Sequence, residues 1–177
     1  MNKLFVCVGL ILVSAYGYAF EKQTIVYTVN GDSSNPISFN FNGKKFSPYL
    51  DVQKEAGQAP DVLRFQRFLN RMWEVNKQGD KNSILSIWSP NDRSTIASQM
   101  TSEALQANRE KFIALKNVRI KMIMAFGAYY VAYAEYEFHS STKVTFKIPI
   151  EVQGEQLFLT NALNGNYFYD QVSDFIQ

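Results

Sequence analysis

The chain has 177 residues, of which 46% are hydrophobic, 19% charged and 15% aromatic, which excludes a disordered chain and suits one well-buried domain. Eighteen Lys and Arg against 16 Asp and Glu leave a net charge of +2, so there is no electrostatic case for binding nucleic acid. A single Cys and a single His exclude a disulfide framework and a histidine-rich metal site.

Residues 1–19, MNKLFVCVGLILVSAYGYA, read as a signal peptide. Lys3 precedes an apolar run from Leu4 to Val13, and Gly17-Tyr18-Ala19 offers small residues at the two positions that signal peptidase reads. The run is about half the roughly 20 residues a spanning helix needs, so cleavage after Ala19 is expected and no stable membrane anchor remains. Cys7 lies inside the run and cannot become a lipid-modified first residue. The mature chain would then start at Phe20, lack Cys and reside in the periplasm or outside a bacterial cell. The absence of an Asn-x-Ser/Thr acceptor fits that setting.

Residues 20–50 read as a small β element. Thr24 to Val29 is rich in β-branched and aromatic residues, and Asn30-Gly31 ends it. Ile37, Phe39 and Phe41 alternate with Ser38 and Asn40, Asn42-Gly43 predicts a tight hairpin turn, and Phe46 sits on the returning arm. Pro48 and the polar stretch Asp51 to Pro60 predict a loop.

Helical spacing begins at Asp61. Val62, Phe65, Phe68, Leu69, Met72, Trp73 and Val75 share one arc, and Gly79 is placed to end the helix in the left-handed conformation. Asp80 caps a short second helix through Ile84, Leu85, Ile87 and Trp88. Ser89 and Pro90 predict the start of a third, with Asp92 near its first turn and Ile96, Ala97 and Met100 as its buried stripe. Thr101 or Ser102 caps a last stretch carrying Leu105, Phe112 and Ile113.

From Asn117 the period falls to two. Val118, Ile120, Met122, Met124 and Phe126 form one inward face, and Tyr130, Ala132, Ala134, Tyr136 and Phe138 form the next, after a turn at Gly127-Ala128. Val144, Phe146, Ile148, Ile150 and Val152 continue it, and Gln156 to Leu163 follows a turn at Gln153-Gly154-Glu155. Four strands on short connections predict an antiparallel meander, with Arg119 opposite Glu137 and Lys121 opposite Glu135 on its outer face. Pro149 predicts a bulge or an unpaired edge. Phe168, Val172, Phe175 and Ile176 have the spacing of a short amphipathic helix or an aromatic tail packed back on the domain.

Gly79-Asp80 followed by Ile84-Leu85-Ser86-Ile87-Trp88, and the strands from Asn117 to Leu163, resemble the nuclear-transport-factor-2-like (SnoaL-like) superfamily. The resemblance implies an α+β cone over residues 61–177, with N-terminal helices on the concave face of a curved four-stranded sheet and the β element at 20–50 as a family-specific edge or flap. Members include isomerases, cyclases, hydratases and non-catalytic proteins, so fold alone gives no function. Enzymes of the superfamily carry an acidic residue inside the cone. Here every acid on the first three strands falls on the other face.

Tyr130 and Tyr136, with Met122, Phe146, Trp73 and Trp88, are candidates to line an apolar ligand pocket, against the plainer reading of packed core. Tyr129, Val131 and Tyr133 lie on the otherwise polar outer face and are candidate interface residues. His139 shares a face with Glu135 and Glu137 and reads as an exposed structural residue. Asp170 and Asp174 read as solvated, and the methionines as core filler rather than metal ligands. No motif calls for a cofactor or a metal. The expected function is an exported, non-catalytic envelope module that binds a protein partner or dimerises through its sheet. The alternative is a binder of, or isomerase- or hydratase-like enzyme on, a small apolar molecule in the cone.

Overall fold

The computed structural model describes residues 20–28, 36–55, 57–166 and 169–170. The signal peptide expected at 1–19 lies outside them, as does the expected C-terminal amphipathic stretch apart from Tyr169 and Asp170. The described residues form an α+β fold with six strands and four helices. In chain order these are β1 (Glu21–Thr28), β2 (Pro36–Asp51), α1 (Pro60–Gln78), α2 (Lys81–Ser86), α3 (Arg93–Gln99), α4 (Ser102–Ile113), β3 (Leu115–Phe126), β4 (Tyr129–Phe138), β5 (Lys143–Gln153) and β6 (Gln156–Leu159). One antiparallel sheet runs β1-β2-β3-β4-β5-β6, with all four helices inserted between β2 and β3.

The sheet therefore has six strands, not four, because the N-terminal β element is its edge rather than a flap. The expected hairpin at Asn42-Gly43 does not form: β2 passes straight through, pairing with β1 up to Gly43 and with β3 from Gly43 onward. Gly43 serves close approach instead of a turn. A Cβ there would sit 2.7 Å from the Ile123 carbonyl oxygen and 2.7 Å from the Phe41 ring.

The helical layer follows the sequence more closely. Pro60 opens α1, and Gly79 closes it at φ 77 with its N–H on the Val75 carbonyl. The α1 arc buries Val62, Phe65, Phe68, Leu69, Met72 and Trp73 against the inner faces of β3, β4 and β5. The Asp80 carboxylate accepts the Ser83 N–H at 2.7 Å, and Thr101 Oγ1 accepts the Ala104 N–H at 3.2 Å, so both expected caps are in place. The third helix starts later than expected. Ser89 donates its N–H to Leu159, and the N–H groups of Asp92 and Arg93 turn back onto the Ser89 carbonyl, so α3 begins only at Arg93.

Of three register shifts in the sheet, one leaves Lys116 over between Leu115 and Asn117, and the other two meet at Lys121. Ile120 pairs with Ala134 but Met122 pairs with Tyr133, leaving Lys121 as an extra residue on β3. On the other side of β3, residues 46–49 of β2 bulge opposite the same residue. Beyond Lys121 every β3 side chain changes face. Val118 and Ile120 join the helix-side core as expected. Met122 and Met124 lie on the outer face, and Ile123 takes the inward place. Arg119 faces Glu135 rather than Glu137, because the hairpin turns between Gly127 and Ala128 and the bulge adds one residue more, yet its guanidinium reaches both carboxylates at 2.7 Å.

The outer face thus carries a second core. Met122, Met124, Val131 and Tyr133 are buried beneath Leu163 and Tyr169, which the chain brings back across the sheet after β6. Val131 and Tyr133, expected as exposed interface residues, are 0% and 1% exposed, and Tyr129 packs half-buried at the edge of the cluster.

β6 is short. It pairs with Ile150–Gln153, and the chain leaves the sheet at Thr160, whose N–H still reaches the Pro149 carbonyl at 3.2 Å. Pro149 keeps its register with Val131 and needs no bulge, because its carbonyl, and with it the missing N–H, faces the β6 side. Among the described residues, Lys143 to Ile148 of β5 have no strand on that side.

Candidate functional site

The residues after α2 hold Trp88 in place. Leu159 donates its N–H to the Ile87 carbonyl at 2.7 Å, and Ser89 donates to the Leu159 carbonyl at 2.8 Å, so 87–89 lie beside β6 as a parallel bridge. The Arg93 Nε–H donates to the Trp88 carbonyl at 3.0 Å. Asp92 spends its carboxylate on Thr160 Oγ1 and the Asn161 N–H, at 2.9 and 3.0 Å. This clamp fixes the gap between the helices and the lower half of β5.

In that gap lies an open cavity of about 350 Å³. Met72 of α1, Trp88, Phe112 of α4, Tyr136 and Phe138 of β4, and Leu159 of β6 border it, together with Leu115, Lys111 and residues 146–149 of β5. Phe146 is 43% exposed, a large share for a Phe, and its neighbour on the same face, Val144, is exposed too. On its far side Trp88 borders a second, smaller cavity of about 210 Å³ between α1, α3 and α4. Trp88 therefore borders both cavities.

Of the six pocket candidates, the structure brings three together: Tyr136, Phe146 and Trp88. Trp73 is buried behind the wall, its indole N–H on the Phe112 carbonyl at 3.2 Å, where it ties α1 to α4. Tyr130 packs at a tilt against Phe20 and Phe65, at centroid distances of 5.5 and 5.0 Å. Six residues of strand, roughly 20 Å, separate it from Tyr136, so the two hydroxyls cannot share a small ligand. Met122 is on the opposite face for the parity reason given above. Sequence reading missed Met72, Phe112 and Leu159 as wall residues. Met72 and Phe112 carry only helical spacing and Leu159 only its place in the last strand, so the crossing of three elements is what singles them out.

Burial pushes the Tyr136 phenol well above its usual range, so its hydroxyl stays protonated and can donate but not act as a base at neutral pH. Among the described residues no carboxylate or imidazole borders the cavity. Glu135 and Glu137 lie on the outer face with Arg119, and Lys116 adds a 3.1 Å bond to Glu137. His139 is exposed at the end of the β4 hairpin, its N–H on the Ala114 carbonyl. No group of three or more potential metal-ligating side chains occurs among the described residues, and none of their helices is long and apolar enough to cross a membrane.

No family model and no curated protein matches the chain. Among solved structures, a provisionally named NTF2-like transpeptidase from Campylobacter jejuni resembles it, with 11% identity and a TM-score of 0.41. The match covers 52% of this chain and 94% of that one. At that level the likeness says nothing about activity.

Proposed function

We propose that this chain is an exported binding module that receives an apolar group of its ligand or partner in the cavity beside Trp88, and performs no acid–base chemistry there. The supporting observation is the cavity wall itself: Met72, Trp88, Phe112, Phe146 and Leu159 line it, Tyr136 is the one hydroxyl-bearing residue, and Lys111 and Lys147 are the ionisable residues among the described residues that border it. A volume near 350 Å³ is at the small end of the range for ligand sites, about 300–1,000 Å³, and suits one apolar group rather than a large cofactor. Helices over the inner face of an antiparallel sheet agree with a nuclear-transport-factor-2-like cone, and we read the chain as an exported relative of that superfamily. The sheet-mediated dimer expected from Val131 and Tyr133 loses its basis, since the chain's own Leu163 and Tyr169 cover them.

Titration with N-phenylnaphthylamine, a neutral apolar fluorophore, tests the reading. Saturable binding is expected, weakened about tenfold by Phe146→Ala, which removes roughly half a buried phenyl group's worth of contact. Absence of saturable binding, or binding indifferent to Phe146→Ala, overturns it.

A further inference from the structure

Four consecutive residues of β5, Phe146 to Pro149, border the cavity. Alternate side chains of a strand point to opposite faces, so a run of consecutive residues can border one space only where that space reaches the strand's edge. The Lys147 ammonium is engaged on the outer face, on the Tyr169 carbonyl at 3.2 Å and over the Tyr169 ring at 4.4 Å. What Lys147 gives to the cavity is therefore main chain. The part of the β5 edge that no described strand pairs and the apolar cavity are one continuous site.

The parity of that edge is set by Pro149, whose carbonyl faces the β6 side. Lys147, Thr145 and Lys143 share its orientation and direct their N–H and C=O groups outward, where no partner is found among the described residues. Phe146 and Val144, on the same run, present exposed apolar side chains on the inner face.

We propose that β5 accepts an added strand: an extended segment of a partner protein that pairs with Lys143–Lys147 and places an apolar side chain in the cavity beside Trp88. This rests on the cavity being a binding site, as proposed above, and names what fills it. Main-chain pairing along an open edge, with a pocket for alternate side chains, is an established way to recognise extended peptides. Charge selects the partner. A second copy pairing antiparallel about Thr145 would set Lys143 against Lys147, like charges directly opposite, which disfavours self-association. A segment alternating acidic with apolar residues puts carboxylates beside those lysines and its apolar side chains on the Phe146 face.

The test uses the full-length mature chain and a short blocked peptide alternating Glu with Leu. In the free protein the Lys143, Thr145 and Lys147 amides should exchange freely, while those of Val144 and Phe146, turned toward β4, are protected. Saturating peptide should slow the first three about tenfold or more and leave the other two unchanged. N-methylation of one central peptide nitrogen should weaken binding about fivefold or more, the worth of a net backbone hydrogen bond. Thr145→Pro is the decisive variant. It repeats at position 145 the orientation that Pro149 already tolerates, so the sheet should survive while strand addition fails.

Loss of peptide binding in Thr145→Pro, with N-phenylnaphthylamine binding intact, supports the proposal. Equal peptide affinity in both proteins overturns strand addition and leaves the cavity reading standing. Loss of fluorophore binding in the wild-type chain overturns both. Edge amides already protected in the free protein, or a dimer in sedimentation equilibrium that Lys143→Glu strengthens, assign the edge to the chain itself and overturn the proposal.

Discussion

The Tyr133 hydroxyl is buried with no hydrogen-bond partner among the described residues, and burial raises its phenol pKa, with the Tyr169 hydroxyl adding to the effect. A buried hydroxyl left unpaired costs about 1–3 kcal/mol. Tyr133→Phe keeps the ring that packs on Met122 and Met124 and should leave stability unchanged or raise it by about 1 kcal/mol, as read from the urea midpoint. Gly43 is the opposite case. The Ile123 carbonyl is main chain and cannot swing aside from a Cβ placed at 2.7 Å, so Gly43→Ala should cost about 1–3 kcal/mol in the same measurement. Asn-Gly is a strong hairpin signal only when the chain reverses. Here the same dipeptide serves a strand that must lie tight against its neighbour, a demand that arises from β3, some eighty residues on.

Among the elements, those with local rules were legible. The α1 arc, the Gly79 stop and the Asp80 and Thr101 caps each depend on residues within a turn of one another, and each stands where the sequence puts it. The start of α3 was not, because Ser89 is engaged by Leu159, a tertiary partner that no local pattern reveals. Nor was the face of Met122. Alternation continues unbroken through Lys121, since Ile123 is as apolar as its neighbours and the pattern offers no sign that the count slips by one. Of the three pocket candidates that converge, Tyr136 and Phe146 do so because β4 and β5 keep a continuous register, which alternation does report, whereas Trp88 is placed by the Leu159 bridge, which it does not.

The charge ladder on the outer face gives a pH prediction at this same scale. Glu137 is held below its ordinary 4.5, first by the Lys116 hydrogen bond and then by the charges of Lys116, Arg119 and Lys143, against an opposing pull from burial. A carboxylate with a depressed folded pKa contributes stability in full above its unfolded pKa and loses it as pH falls through the folded value. Melting temperature should therefore decline as the pH drops below about 4.5, and Glu137→Gln should flatten that decline while lowering the neutral value.

For the molecule as a whole, the described chain begins with a residue already packed: Phe20 meets the Phe65 ring edge-on at 5.8 Å. If residues 1–19 are removed on export, Phe20 becomes the first residue and its contact is retained. Expression in a bacterial host followed by osmotic-shock fractionation and N-terminal sequencing should find a periplasmic protein starting at Phe20. A product that starts at Met1, or stays in the cytoplasm, contradicts the export proposal. The outer cluster has a consequence for biosynthesis. Met122, Met124, Val131 and Tyr133 are made before Leu163 and Tyr169, so their side of the sheet stays wet until those two residues arrive. If the chain is exported unfolded, as proposed above, that delay would leave it easier to thread, with a leucine and a tyrosine as the last pieces to close the outer cluster.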